Sequence, residues 1–218
     1  MLRTQIGSSR TLRVCALGLA TLSVAIISTT DKADARRHRH SARSHVAREP
    51  SYNPAYSTIM VDANSGAVLQ STAPDSLRHP ASLTKIMTLY LLFEKLESGK
   101  MSLDTEMDVS QHASVQAPTK LGLRPGQTLR VEDAIKGLVT RSANDAAVVI
   151  AEAVGGDEDD FAKLMTRKAR ALGMSRTVYR NASGLPDDEQ VTTARDQSVL
   201  GRAIQDRFPR YYRYFSTA

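Results

Sequence analysis

The chain has 218 residues, 41% of them hydrophobic and 24% charged, with a net charge of +6 and one cysteine. So much apolar content excludes a disordered chain, and the length excludes several large domains. The charge is confined to one end. Residues 1–35 hold four basic and two acidic side chains, residues 36–50 hold five and one, and the remaining 168 carry 20 of each, so no nucleic-acid-binding domain is indicated.

The N-terminus reads as a secretory signal. Arg3, Arg10 and Arg13 form a positive head, and residues 14–27 form an uncharged run of 14. That run is shorter than the ~20 residues that span a bilayer. Ala33-Asp34-Ala35 supplies the small residues for cleavage after Ala35. An uncleaved anchor is the alternative, and under both readings the body is exported to the periplasm or cell envelope. Cys15 lies inside the leader, so the mature chain carries no thiol and forms no internal disulfide. Arg13 two residues before it makes it a poor lipidation site. The division predicted is a signal peptide at 1–35, a basic disordered linker at 36–50 and a globular region at 51–218. His38, His40 and His45 in the linker have no framework to order them around a metal. No metal and no cofactor is expected. The linker's charge predicts weak contact with an anionic membrane surface or wall polymer.

In the globular region, residues 57–62 and 67–71 read as strands joined by the turn Asn64-Ser65-Gly66. From Ser82 to Leu96 the apolar residues Leu83, Ile86, Met87, Leu89, Tyr90, Leu91, Leu92, Phe93 and Leu96 cover nearly the whole helical circumference, with Gly99 as a stop. A helix apolar on almost all sides belongs in the middle of a domain. Two shorter helices follow at 131–139 and 145–154, separated by residues 140–144. Asp157 is placed to cap a third through Phe161, Met165 and Leu172. An extended piece at 177–179, a turn at 181–186 and a last helix capped by Thr192 or Thr193 complete the region.

Ser82-Leu83-Thr84-Lys85 sets a hydroxyl and an amine three residues apart, on one face, at the start of the buried helix. Serine is a weak nucleophile until a base takes its proton, and lysine serves as that base only when neutral. Burial disfavours the ammonium, which is the direction required. The start of the helix adds N–H groups and a positive dipole end that favour an oxyanion. Ser82 is the only serine in the chain with lysine three residues on. Ser142-Ala143-Asn144 occupies the turn between two apolar helices 60 residues later, where its hydroxyl and amide can face the same cleft.

The segment His79-Pro80-Ala81-Ser82-Leu83-Thr84-Lys85-Ile86-Met87-Thr88 resembles the nucleophile segment of the low-molecular-mass penicillin-binding proteins, the D-alanyl-D-alanine carboxypeptidases of peptidase family S11. The likeness continues through Ser142-Ala143-Asn144-Asp145-Ala146-Ala147, Leu172-Gly173-Met174, Asn181-Ala182-Ser183-Gly184-Leu185 and Thr193-Ala194-Arg195-Asp196, and covers about residues 55–215. The resemblance implies that Ser82 forms an acyl-enzyme, Lys85 accepts the proton, Ser142 relays it and Asn144 holds the substrate's peptide amide. It implies the terminal D-alanine of peptidoglycan stem peptides as substrate and β-lactams as acylating inhibitors. It also implies an α/β (α+β) fold of the serine β-lactamase/transpeptidase type. The family carries a third motif, Lys-Thr-Gly, on a strand bordering the cleft, and no lysine or histidine here is followed by Thr or Ser and then Gly. The fold is therefore expected to be incomplete, with an N-terminal hairpin and helical region but without the C-terminal strands. That leaves the hairpin with an unpaired edge and the buried helix short of cover. Two alternatives remain beside an impaired carboxypeptidase: a non-catalytic remnant, and a class A β-lactamase, from which the chain departs in carrying Ala143 where that group has Asp.

Overall fold

The computed structural model describes residues 55–217, which belong to a unit spanning Tyr52–Ala218. The predicted leader and linker lie outside the described residues.

Turn chemistry closes the opening hairpin. Strands β1 (Thr58–Val61) and β2 (Val68–Thr72) pair antiparallel with Thr58 opposite Thr72 and Ile59 opposite Ser71. Between them, the Asp62 carboxylate accepts bonds from the Ser65 N–H and hydroxyl, both at 2.7 Å. Gly66 takes φ +74°, and the Arg202 guanidinium packs against its bare Cα while donating to the carbonyls of Ala63 and Asn64. The hairpin tip is thereby pinned to helix α6 (Ala194–Arg207). Among the described residues no third strand joins this pair. Every residue of β2 is exposed, and Met60, Val68 and Leu69 stand out in solvent, as the open edge predicts.

Ala81–Leu83 form a 3₁₀ turn, and helix α1 (Thr84–Glu97) starts two residues later than the apolar pattern suggests. Leu83 is consequently 51% exposed, because it belongs to the turn and not to the buried helix. From Met87 to Phe93 the only polar side-chain groups are the hydroxyls of Thr88 and Tyr90, and no residue is more than 2% exposed. The expectation that α1 lacks cover is therefore wrong. It is enclosed by α4 (Asn144–Gly155), α5 (Glu158–Ala171) and α6. Phe208 and Tyr211 close the last gap, with ring centroids 5.7 and 5.2 Å from Phe93. Gly99 at φ +68° ends the helix as expected.

A second hairpin, β3 (Glu106–Asp108) with β4 (Thr128–Arg130), is not predictable by alternation, since each strand sends a single side chain, Met107 or Leu129, inward. Between them lie the single-turn helix α2 (Gln111–Ser114), capped by the Ser110 hydroxyl, and a loop that reaches the site. Helix α3 (Val131–Arg141) and α4 are longer than predicted, so the turn between them shrinks to Ser142-Ala143. Asp157 caps α5 and Thr193 caps α6 through bonds to the N–H groups three residues on. The extended piece after α5 makes only a bridge, Val178 to Val191. The described chain ends in α7 (Pro209–Tyr212) and a 3₁₀ turn, Arg213–Ser216. Among the described residues, no helix is long and apolar enough to cross a membrane.

Candidate active site

Ser82 lies at the surface because of the backbone that precedes it. Pro80 is buried and starts the turn, and Ala81 takes φ +47°, a conformation that costs a residue with a Cβ about 1 kcal/mol. The chain holds it there by close approach: the Ala81 carbonyl packs on Gly184, where a Cβ would lie 1.9 Å from the oxygen. The hydroxyl of Ser82 is thus presented outward, with α1 beginning behind it.

Lys85, one helical turn on, is only 4% exposed. Its Nζ lies 3.3 Å from Ser82 Oγ, 2.7 Å from Asn144 Oδ1 and 2.5 Å from the Ser183 carbonyl oxygen. Burial in this apolar surround pulls its pKa down to about 8. The amine is sealed from water while the serine it faces is at the surface.

The opposite wall comes from the junction of α3 and α4. Ser142 ends α3 in the left-handed region, φ 54° and ψ 39°, which aims its hydroxyl 2.9 Å from Ser82 Oγ. Asn144 opens α4 and is 5% exposed. Its Oδ1 accepts from Lys85 and its Nδ2 donates to the Ala117 carbonyl at 2.9 Å. All four residues singled out in the sequence, Ser82, Lys85, Ser142 and Asn144, converge on one hydrogen-bonded chain. An Nδ2 with two N–H groups has one left beyond the bond to Ala117.

One participant escapes motif reading. The Ser183 carbonyl, which accepts from Lys85 Nζ, is a backbone group. Its only sequence signal is the Asn-Ala-Ser-Gly-Leu turn that bends it inward. Asn181 Oδ1 accepts from the N–H groups of Ser183 and Gly184, and Gly184 sits at φ +87°. Next to the nucleophile segment, a cavity of about 250 Å³ opens between His79, Ala81 and residues 184–188. His79 is exposed at its rim, with Nδ1 2.8 Å from the Gln190 carbonyl, and His112 is exposed and pairs with Glu158. Both are surface histidines. Among the described residues, no three His, Cys, Asp or Glu side chains gather as a metal site.

Comparison with known proteins identifies the family. Residues 44–217 match the S11 peptidase family, described as D-alanyl-D-alanine carboxypeptidase. The chain belongs to this family. The D-alanyl-D-alanine carboxypeptidase DacF of Bacillus subtilis is 32% identical over 187 residues, which are 85% of this chain and 47% of that protein. The crystal structure of the D-alanyl-D-alanine carboxypeptidase DacD from Francisella tularensis superposes with a TM-score of 0.71 at 34% identity, covering 73% of this chain and 38% of that one. Penicillin-binding protein D2 of Listeria monocytogenes, in its cefotaxime-bound form, gives a TM-score of 0.62 at 28% identity over 72% of this chain and 66% of its own. The serine β-lactamase/transpeptidase-like α/β architecture is thereby established, and the chain spans about half the length of the curated relatives it matches.

Proposed function

We propose that the chain is a serine-type D-alanyl-D-alanine carboxypeptidase that removes the terminal D-alanine of peptidoglycan stem peptides through an acyl-Ser82 intermediate. The observation that carries the reading is the bonding of Lys85. A neutral amine has two N–H groups and one lone pair. Asn144 Oδ1 and the Ser183 carbonyl can only accept, so they take the two N–H groups and turn the lone pair toward Ser82, the one neighbour able to donate. A pKa of about 8 leaves about 10% of the amine neutral at pH 7, against about 0.03% for an ordinary lysine.

The Ser82 proton then passes to Lys85 Nζ as Oγ bonds to the carbonyl carbon of the penultimate D-alanine. The oxyanion forms near the start of α1, whose N–H groups and dipole favour it. The C–N bond breaks, and the proton reaches the departing amino group of D-alanine through the Ser142 hydroxyl, 2.9 Å from Ser82 Oγ. Water, deprotonated by Lys85, cleaves the ester and regenerates the serine. The free N–H of Asn144 Nδ2 holds the substrate's amide. β-Lactams, one of which is bound in the Listeria relative, acylate the same oxygen. Residues 1–35 export the chain to the periplasm or envelope, 36–50 link it, and the basic linker gives weak contact with the membrane surface or wall polymer.

A second reading is favoured by one specific fact. The 218 residues contain no Lys-Thr-Gly or equivalent, the motif that the resemblance places on a strand bordering the cleft. On that reading the chain binds wall peptides without turning them over. Incubation with a fluorescent penicillin decides between them: a covalent label lost in Ser82→Ala supports the acyl-enzyme, a label that survives it removes Ser82 as nucleophile, and no label favours the non-catalytic form.

A further inference from the structure

Directly behind the site sits a carboxylate that the reaction does not use. Asp145, the second residue of α4, is fully buried. Its Oδ1 accepts from the Leu121 N–H at 2.9 Å and the Ala146 N–H at 2.9 Å. Its Oδ2 accepts from Gly122 at 2.8 Å and Leu123 at 3.1 Å. No cationic side chain bonds to it among the described residues. A carboxylate out of water is tolerated only when hydrogen bonds replace its hydration. Here three consecutive N–H groups of one loop do so, together with the start of its own helix. The loop cannot leave without stranding the anion.

The other end of that loop touches the reacting groups. The Ala117 carbonyl accepts from Asn144 Nδ2 at 2.9 Å, and the Thr119 carbonyl accepts from the Asn144 backbone N–H at 2.7 Å. The Thr119 hydroxyl donates to the Ser142 carbonyl at 3.2 Å. The first of these bonds decides which end of the Asn144 amide faces the lysine. With Nδ2 committed to Ala117, Oδ1 points at Nζ. A flipped amide would set N–H against N–H and remove one of the acceptors that orient the base.

We propose that Asp145 is a positioning residue for the proton-transfer pair: by gathering the N–H groups of residues 121–123 it fixes the 117–123 loop, which orients the Asn144 amide toward Lys85 and holds the Ser142 backbone. The catalytic consequence rests on the acyl-serine reading above; the orientation of Asn144 does not. Asp145→Asn keeps the shape but turns an N–H group against the loop's own donors. In the full chain, the exchange of the Asn144 side-chain amide protons with solvent, read by NMR, is expected to accelerate at least about tenfold, and penicillin labelling of the folded fraction to slow about 10²-fold. Thr119→Val, a change at an exposed residue that leaves the carboxylate untouched, is expected to slow labelling and speed that exchange several-fold with little change in melting temperature. The proposal is overturned if folded Asp145→Asn keeps parental exchange and labelling, or, should that variant not fold, if Thr119→Val leaves both at parental values. A purely structural Asp145 would lower the melting temperature and move neither. If the parent takes no label, the acyl-serine reading fails and the exchange measurement alone decides the role of Asp145.

Discussion

Substituting Gly184 by alanine tests whether the 181–185 turn backs Ser82, the proposed nucleophile. The added Cβ would lie 1.9 Å from the Ala81 carbonyl oxygen, 2.4 Å from its carbon and 3.1 Å from the Ser82 nitrogen. Ordinary contact between such atoms is above 3 Å, so the Ala81–Ser82 peptide or the turn must move by about 1 Å or more. A displacement of that size at a reacting group costs about 10²-fold in rate. Overpacking adds about 1–3 kcal/mol, and the positive φ of +87° about 1–2 kcal/mol more for any residue with a Cβ. Gly173 provides the control, since it has φ +90° and nothing within 4 Å of the same added atom. Gly173→Ala therefore carries the conformational cost alone, a melting-temperature loss of about 3–6 °C, and leaves labelling intact. Gly184→Ala is expected to lose about 6–15 °C and to label about 10²-fold more slowly per folded molecule. Fluorescent-penicillin time courses below both transitions, with thermal unfolding of each variant, give the comparison. Equal labelling by the two alanine variants would refute the argument that this turn positions Ser82.

The labelling rate of the parent should rise with pH and level off above about pH 8, where Lys85 loses its proton, and Lys85→Arg, which stays charged, should abolish it. The same shift affects stability. The folded pKa lies below the unfolded 10.5, so the folded state carries the full charging penalty below pH 8 and sheds it as pH rises to 10.5. Denaturant titrations should show about 3 kcal/mol of added stability over that window in the parent and none of that increment in Lys85→Met. Ser142→Gly removes a Cβ from a left-handed position and should raise the melting temperature by about 3 °C while labelling falls at least about tenfold; Ser142→Ala should lose the label without that gain. Thr193→Ala removes the hydroxyl that accepts from the Asp196 N–H at the start of α6 and should cost about 1 kcal/mol by thermal unfolding.

The long helices were legible because their apolar residues recur within one continuous stretch, and the caps of α5 and α6 because Asp157 and Thr193 stand at their starts. Ser82 and Lys85 were legible for the same reason, since their proximity is set by helical spacing alone. Ser142 and Asn144 were legible as a hydroxyl and an amide in a turn between apolar helices, but their roles needed the family resemblance, because a contact across 60 residues leaves no local periodicity. Hidden from any such reading were groups whose role depends on tertiary placement: the Ser183 carbonyl, a backbone atom, and Asp145, three of whose four partners are backbone N–H groups 22 to 24 residues earlier. The β3–β4 hairpin was hidden because one inward residue per strand makes no alternation.

Strain and burial meet at the same few atoms. Among the described residues only Ala73, Ala81 and Ser142 combine a side chain with positive φ, and two of these three place the hydroxyls of Ser82 and Ser142. A glycine at either place would relax the backbone, but a glycine at 142 has no hydroxyl to set 2.9 Å from Ser82. The strain at 81 turns the next residue outward, while the lysine one turn later stays inside. Only a surface hydroxyl next to a sealed amine satisfies both demands of the proposed reaction, in which the serine meets a bulky peptide and the base is kept from hydration. The helix that starts between them, apolar on nearly every side, supplies that boundary. Its burial lowers the pKa of Lys85, and its first turn places the amine beneath the serine.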